Sequence, residues 1–225
     1  MVSRSEKRAA LVSTTRFVID PVHRAASAGC PDLEFIHIVD EGILLTKGIV
    51  GEINSSIISW LKGLLENAVA AGASRAVVTC SSLSPAVKPA SEGLPIPVAR
   101  IDYPLYKEVL GTARNPAVVM TLPSTREPSQ LLIDEVRREL PDSPQPEIVL
   151  LENAFRRLNS GDTEGHDREV IGAIERLAAD HDAILLAQIS ISRVREQLSP
   201  ELKAITKSSL DFLPGLLKGH YDRTV

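Results

Sequence analysis

Short apolar runs bounded by polar or turn-forming residues recur along the chain: AALVS (9–13), LEFIHIV (33–39), RAVVTC (75–80), PVARI (97–101), PAVVMT (116–121), EIVLLE (147–152) and AILLAQ (183–188). Each has the length of a buried strand. Between most of them lie stretches with helical spacing, notably 50–72, 127–139 and 166–180. Strands alternating with helices of this length predict an α/β fold with parallel sheets covered by helices on both faces. The helix expected from about Asn54 to Ala71 carries Ile57, Ile58, Leu61, Leu64, Leu65 and Ala68 on one stripe, as core packing on a sheet requires. PASEGLPIP (89–97) and PDSPQP (141–146) break the pattern and are short enough to be loops within a lobe.

An internal correspondence adds to this pattern. Displaced by 108 positions, AAGASRAVVTCSSLS (70–84) falls on AADHDAILLAQISIS (178–192) without a gap, so that helix end, turn, strand and the serines after the strand coincide. Val77 and Val78 meet Leu185 and Leu186, Ser82 meets Ser190, Ser84 meets Ser192, and Cys80 meets Gln188. Two similar lobes are the expectation.

Composition narrows the partners. The 225 residues hold abundant aliphatics, few aromatics and a net charge of −4, with Lys and Arg scattered among Asp and Glu. No basic block with interleaved aromatics is present, which argues against nucleic acid. The N-terminal MVSRSEKRAALVS has no apolar segment of secretory length, and no other stretch approaches a membrane span, so a cytoplasmic protein with no membrane partner is expected. Cys30 and Cys80 stand in unrelated contexts without histidines at metal-ligand spacing; free thiols are expected, with no metal and no disulfide framework. No phosphate-binding glycine loop, dinucleotide fingerprint or G-x-S-x-G elbow occurs, which argues against a cofactor.

Candidate chemistry gathers where the strands end. Ligands of open parallel sheets bind beyond the carboxyl ends of the strands, where helix starts present unpaired N–H groups. Cys80 is expected at such an end, with Ser81, Ser82 and Ser84 beside it and Ser84-Pro85 reading as a helix start. That setting suits a carboxylate and stabilises a thiolate; the alternative is that Cys80 is a small buried hydrophobe. Ser13, Thr14 and Thr15 end the first strand, and Thr121, Ser124 and Thr125 follow a later one. These neutral donors suit an anionic substrate, and each can equally cap a helix. NSGDTEGHDREV (159–170) reads as a loop and an acidic first helical turn, not as a metal or acid/base cluster. His37 reads as a strand residue, packed or lining a cleft, with Asp40 and Glu41 ending its strand; Cys30, in the turn SAGCPD, reads as inert.

With VVTCSS after the third strand, PDLEFIHIVDEGIL early on, AFRRLNSGDTEGHDREVIGAIERLA and AILLAQISISRV, the chain resembles the aspartate/glutamate/hydantoin racemase superfamily over most of its length. The resemblance implies two similar α/β lobes with the active site in the cleft between them, and a homodimer. The expected lobes are 1–100 with 208–225, carrying Cys80, and 101–207, carrying Gln188. In such racemases two cysteines face each other across the substrate's α-carbon, one removing a proton and the other returning it. Cys80 matches the first cysteine, and the second falls on Gln188, an amide that cannot serve as a base at neutral pH. The arylmalonate decarboxylases, which are similar in architecture, work with a single thiol, but in the other lobe; the maleate isomerases, also similar, use both. By the same resemblance Thr14, Ser81, Ser82, Thr121 and Thr125 fall near positions that hold substrate carboxylates, and Gln188 at most positions substrate.

The resulting expectation is a cofactor-independent racemase-, isomerase- or decarboxylase-like enzyme acting next to the carboxylate of a small organic or amino acid, by proton transfer through Cys80. The alternative is a small-carboxylate-binding protein without turnover. A third reading, Cys80 as a nucleophile in acyl transfer, needs a histidine base that only His37 offers, and only through a tertiary contact.

Overall fold

The structure, a computed structural model, describes residues 6–219. Residues 1–5 and 220–225 lie outside it, and with them the start of the N-terminal stretch read for a secretory signal and the end of the 208–225 segment assigned to the first lobe. The chain divides into two units, one running to Tyr103 and resuming at Phe212, the other spanning Pro104–Asp211.

Unit 1 begins with β1 (Arg8–Ser13), α1 (Ile19–Gly29), β2 (Glu34–Val39), α2 (Glu41–Val50) and α3 (Ser55–Ala70). It continues through β3 (Arg75–Val78), α4 (Ser84–Ser91) and β4 (Val98–Arg100). Its sheet has the order β2-β1-β3-β4, every pair parallel. Alternation sorts the side chains: Ala10, Val12, Ile36, Ile38, Ala76 and Val78 pack with Ile57, Leu61, Leu64 and Leu65 of α3 and Ala86, Val87 and Ala90 of α4. The stripe expected on the 54–71 helix is thus the one buried, starting at an Asn54 cap whose side chain accepts from the Ile57 N–H. Removing a fully buried leucine such as Leu61 would cost about 2–5 kcal/mol.

Two local readings are corrected. The helical stretch from 50 to 72 is interrupted: Gly51, at φ +86°, ends α2 in the left-handed conformation, and α3 starts afresh after Asn54. Asp40 and Glu41 do not end the second strand. Asp40 caps α2 by accepting from the N–H groups of Gly42 and Ile43, and Glu41 lies in its first turn.

The chain's last described helix, α10 (Leu213–Lys218), returns to unit 1. Unit 2 precedes it with α5 (Tyr103–Thr112), β5 (Pro116–Met120), α6 (Arg126–Glu139), β6 (Glu147–Leu150), α7 (Glu152–Asn159), α8 (Thr163–Leu177), β7 (Ala183–Leu186), α9 (Pro200–Ile205) and β8 (Thr206–Ser208). Helix α10 approaches α1 so closely that a Cβ on Gly29 would lie 2.3 Å from Pro214 Cγ. Only glycine fits there.

Unit 2's sheet, β6-β5-β7-β8, repeats the topology of unit 1, again all parallel. The 108-residue displacement places β3 on β7 end for end, and the Thr79 N–H bond to Val12 O has its counterpart in Ala187 N–H to Val119 O. Val119, Ile184 and Leu186 pack with Val170 and Ile174 of α8 and with Ile191 and Val194. Among the described residues no helix is long and apolar enough to cross a membrane.

Candidate functional site

Parallel pairing carries the chain ends of β1, β3 and β4 to one edge of the unit 1 sheet, and the unpaired groups there make the site. Val12 pairs with Val78 and Val78 with Arg100, so continuing two residues sets Thr14, Cys80 and Asp102 abreast beyond the last ladder bonds. The Ser13 and Thr79 hydroxyls, 2.8 Å apart, tie β1 to β3 just beneath. Cys80 is followed by a 3-10 turn, Ser81–Leu83, and then by α4 with Pro85 in its first turn.

Cys80 is half-buried as a residue, and alternation places its side chain on the face of α3 and α4. Burial pushes its thiol above the ordinary range; the Thr14 hydroxyl and the backbone N–H groups of Leu83 and Ser82 pull it back down, and the Asp102 charge pushes it up. The net direction is upward, so the resting group at neutral pH is the thiol, while donors already aimed at the sulfur stand ready for the thiolate. Thr14 Oγ1 is buried and forms no bond of conventional geometry to a described group. Its effect is on the sulfur. Thr14→Val is therefore expected to push the Cys80 thiol further up and to slow its iodoacetamide alkylation near neutral pH by about a few-fold, with little change in Tm; unchanged alkylation would remove Thr14 from the site.

Sequence reasoning passed over Asp102. It is 4% exposed, accepts from Ser84 Oγ at 2.9 Å, and lies two residues beyond Arg100, whose guanidinium stacks on the Tyr103 ring. Burial pushes its carboxyl up, and Arg100, Ser84 and its own and Tyr103's N–H groups only partly offset this, leaving it at about 6. A carboxyl raised from 3.8 to about 6 binds more protons folded than unfolded, so its contribution to stability is full below about 3.8 and lost as pH rises through about 6. Asp102→Asn is thus expected to leave stability at pH 4 unchanged and to raise it at pH 8 by about 1–3 kcal/mol, measured by urea melts at both values. Equal effects at the two pH values would contradict this. The signal available in sequence was an aspartate directly following the apolar VARI run, one strand over from Cys80.

Of the residues expected from sequence, unit 1 brings together Thr14, Cys80, Ser81 and Ser82, with Ser82 6% exposed. Thr121, Thr125 and Gln188 lie at the corresponding edge of the unit 2 sheet. Gln188 stands where Cys80 stands in unit 1, each preceding a 3-10 stretch. Its Oε1 accepts from Thr121 N–H at 2.7 Å, Thr121 Oγ1 at 3.2 Å and Leu122 N–H at 3.1 Å. The donors of Thr121 are thereby already engaged. Thr125 is buried ahead of α6 and its side chain makes no capping bond.

His37 does not serve Cys80. It sits on β2 with Nε2 3.1 Å from Nδ1 of His23 on α1, and its neighbours in the strand, Ile36 and Ile38, are the ones that face α3. Two strand spacings and three residues put it roughly 14 Å from Cys80, on the opposite face of the sheet. The acyl-transfer reading loses its base. Cys30 is 5% exposed, its thiol pushed up by burial and pointing at Pro214 O, 3.6 Å away.

In NSGDTEGHDREV the expected helix start is present: Asp162 caps α8 by accepting from Gly165 N–H, and Glu164 lies in the first turn. His166 and Asp167, however, are buried. Asp167 receives His166 Nδ1 at 2.6 Å, Arg193 Nη2 at 2.8 Å and Gln197 Nε2 at 3.2 Å. Burial would raise this carboxyl, but the bonds from Arg193 and His166 outweigh it and hold it below the ordinary range. The signal lay in long-range partners, which local patterning does not contain. No group of three or more His, Cys, Asp or Glu among the described residues could hold a metal ion.

Known proteins share this fold. The family model described as Asp/Glu/Hydantoin racemase matches residues 11–209. No curated protein matches. Among solved structures, a glutamate racemase isoform of Bacillus anthracis is 16% identical with a TM-score of 0.71, covering 97% of this chain and 81% of its own. An allantoin racemase of Klebsiella pneumoniae is 14% identical with a TM-score of 0.70, covering 96% and 87%. A glycine-to-cysteine mutant of arylmalonate decarboxylase, in a sulfate-associated form, is 18% identical with a TM-score of 0.57, covering 92% and 93%. At these identities the likeness shows the fold, two parallel four-stranded sheets with flanking helices. The family match spans most of the chain, which belongs to the Asp/Glu/hydantoin racemase family.

Proposed function

We propose that the protein is a cofactor-independent enzyme acting at the carbon next to a carboxylate of a small organic or amino acid, with Cys80 as its single proton-transferring thiol. The observation that carries this is the sulfur's surroundings: a thiol held protonated by burial, yet met by the Thr14 hydroxyl and the Ser82 and Leu83 N–H groups that would stabilise it once the proton leaves. Such a group gives a proton to carbon and survives as thiolate. A nucleophile would need the reverse, a thiolate at rest. Neighbours named as racemases and as an arylmalonate decarboxylase fit a reacting carbon of this kind.

In the decarboxylating version, the bond from the α-carbon to one carboxylate breaks, carbon dioxide leaves, and the electron pair remains as an enediolate. The Cys80 S–H bond then breaks as its proton forms the new C–H bond, and water returns a proton to sulfur. In the exchange version the Cys80 thiol first gives its proton to water, and the resulting thiolate, met by the Thr14 hydroxyl and the Ser82 and Leu83 N–H groups, removes the α-proton and returns one to the same face. The half-buried Ser81 and buried Ser82 at the turn are the donors we assign to the substrate carboxylate. Gln188 supplies no base in either version.

A second reading is favoured by Gln188 itself: an amide whose oxygen is committed to Thr121 and Leu122 marks a unit 2 edge organised without an acid or base, as in a protein that binds carboxylates without turnover. Proton NMR in deuterium oxide separates the two. With a panel of amino acids, hydroxy acids, substituted malonates and maleate, the enzyme reading predicts α-proton exchange or carboxylate loss for at least one compound, absent in Cys80→Ala. Saturable binding of panel compounds with no such chemistry would establish the second reading.

A further inference from the structure

We propose that Asp102 is a positioning residue for Cys80: strand register and the Ser84 hydroxyl hold its carboxylate beside the sulfur, where it sets the proton-donating state of the thiol. The inference rests on the reading of Cys80 as a proton donor and extends it to a residue that does not touch substrate. Its grounds are geometric. The β3–β4 pairing of Val78 with Arg100, locked by the Ile101 N–H bond to Val78 O at 3.1 Å, sets Asp102 level with Cys80 one strand over. Ser84, 3% exposed in the first turn of α4, donates to Asp102 Oδ1 and thereby pins the carboxylate to the helix that follows the Cys80 turn. Asp102 is itself 4% exposed.

A negative charge lodged there opposes a second negative charge on the sulfur. The other groups acting on the pair come from each neighbouring element: Thr14 after β1, the Ser82 and Leu83 N–H groups of the turn, and Arg100 on β4. Arg100 partly compensates Asp102, and Thr14 and the two amides favour the thiolate. Asp102 is the one named group whose charge holds the proton on sulfur. It follows that the donor strength of Cys80 depends on the charge state of its neighbour, a dependence that simple burial of the thiol would not create.

The test follows the rate of iodoacetamide alkylation at Cys80 against pH, read on the Cys80 peptide by mass spectrometry so that Cys30 does not contribute. It requires no substrate. Asp102→Asn removes the charge and retains a group able to accept from Ser84; the rate at pH 7.5 is expected to rise roughly threefold or more, with the midpoint of the profile moved to lower pH. Ser84→Ala releases the carboxylate from its anchor and is expected to shift the profile in the same direction by less. Profiles of both variants that coincide with the wild-type profile would overturn the proposal, as would a slower rate in Asp102→Asn. If Asp102→Asn does not fold, the Ser84→Ala profile decides alone, a rise supporting and coincidence refuting. A shifted profile in a protein without turnover would leave the positioning intact and remove the enzymatic reading; Cys80-dependent turnover with an unshifted profile would do the reverse.

Discussion

Cys80→Ala is expected to lower turnover of whichever carboxylate reacts by at least about a thousandfold, while leaving the fold in place. The rate expectation follows from the size of positioned acid–base effects, about 10²–10⁴-fold, and from the absence of a substitute at the site: the neighbours at the sulfur are hydroxyls, amides and a carboxylate that opposes the thiolate. The stability expectation follows from placement. Cys80 lies at the rim of the unit 1 core, half-buried, so loss of its sulfur costs about 1 kcal/mol of transfer free energy. Kinetics on the reactive compound and a urea melt separate the two. A variant that retains turnover within tenfold would remove Cys80 from the chemistry.

Gln188→Ala is expected to have the opposite profile, a large stability effect. One oxygen satisfies the N–H groups of Thr121 and Leu122 and the Thr121 hydroxyl, and Thr121 is 1% exposed. Alanine leaves these donors without an acceptor where little water reaches, at about 1–3 kcal/mol for the most buried and less for the others, about 2–4 kcal/mol in all. Thermal melts should show a Tm lower by roughly 10 °C if unit 2 unfolds as one cooperative body. Gln188→Glu keeps an oxygen acceptor and is expected to lose less. A melt of Gln188→Ala that superimposes on the wild type would mean that the β5 loop holds without this side chain.

This second result bears on why the chain departs from a two-thiol arrangement. In unit 1 the group at this position is a thiol facing the Thr14 hydroxyl and two backbone N–H groups. In unit 2 the equivalent group is a fixed acceptor that organises the start of the β5–α6 connection. A cysteine placed there would gain a proton-transfer group and lose three hydrogen bonds.

Much of this architecture was legible in the apolar runs. Six strands fall within the runs that predicted them and β1 starts one residue ahead of its run, because a parallel strand covered on both faces must be apolar nearly throughout. β8 escaped: TKS is three residues long and polar in composition, and it is a strand only because β7 offers it a free edge. Helix α2 escaped as well: the helical spacing read over 50–72 begins only at its last residue, and Gly51 marks the break before α3 only through its positive φ.

The site divides in the same way. Cys80 with its serines was visible because an apolar run turning into hydroxyls is a local signal. Asp102, the Asp167–Arg193–His166 network and the bonds of Gln188 were not, since each depends on partners 18 to 67 residues away. The displacement of 108 residues was the exception: it paired Cys80 with Gln188 from sequence alone, and the matching ends of β3 and β7 agree with it.

Under the proposed function Cys80 moves the proton alone, from one face of the reacting carbon. The most direct test of this is the stereochemistry of the product formed in deuterium oxide from a compound found active in the panel, by chiral chromatography with mass detection. A single enantiomer carrying one deuterium at the carbon next to the carboxylate is expected from the wild type and not from Cys80→Ala. Both enantiomers labelled at equal rates would require a second proton-transferring group and would contradict it.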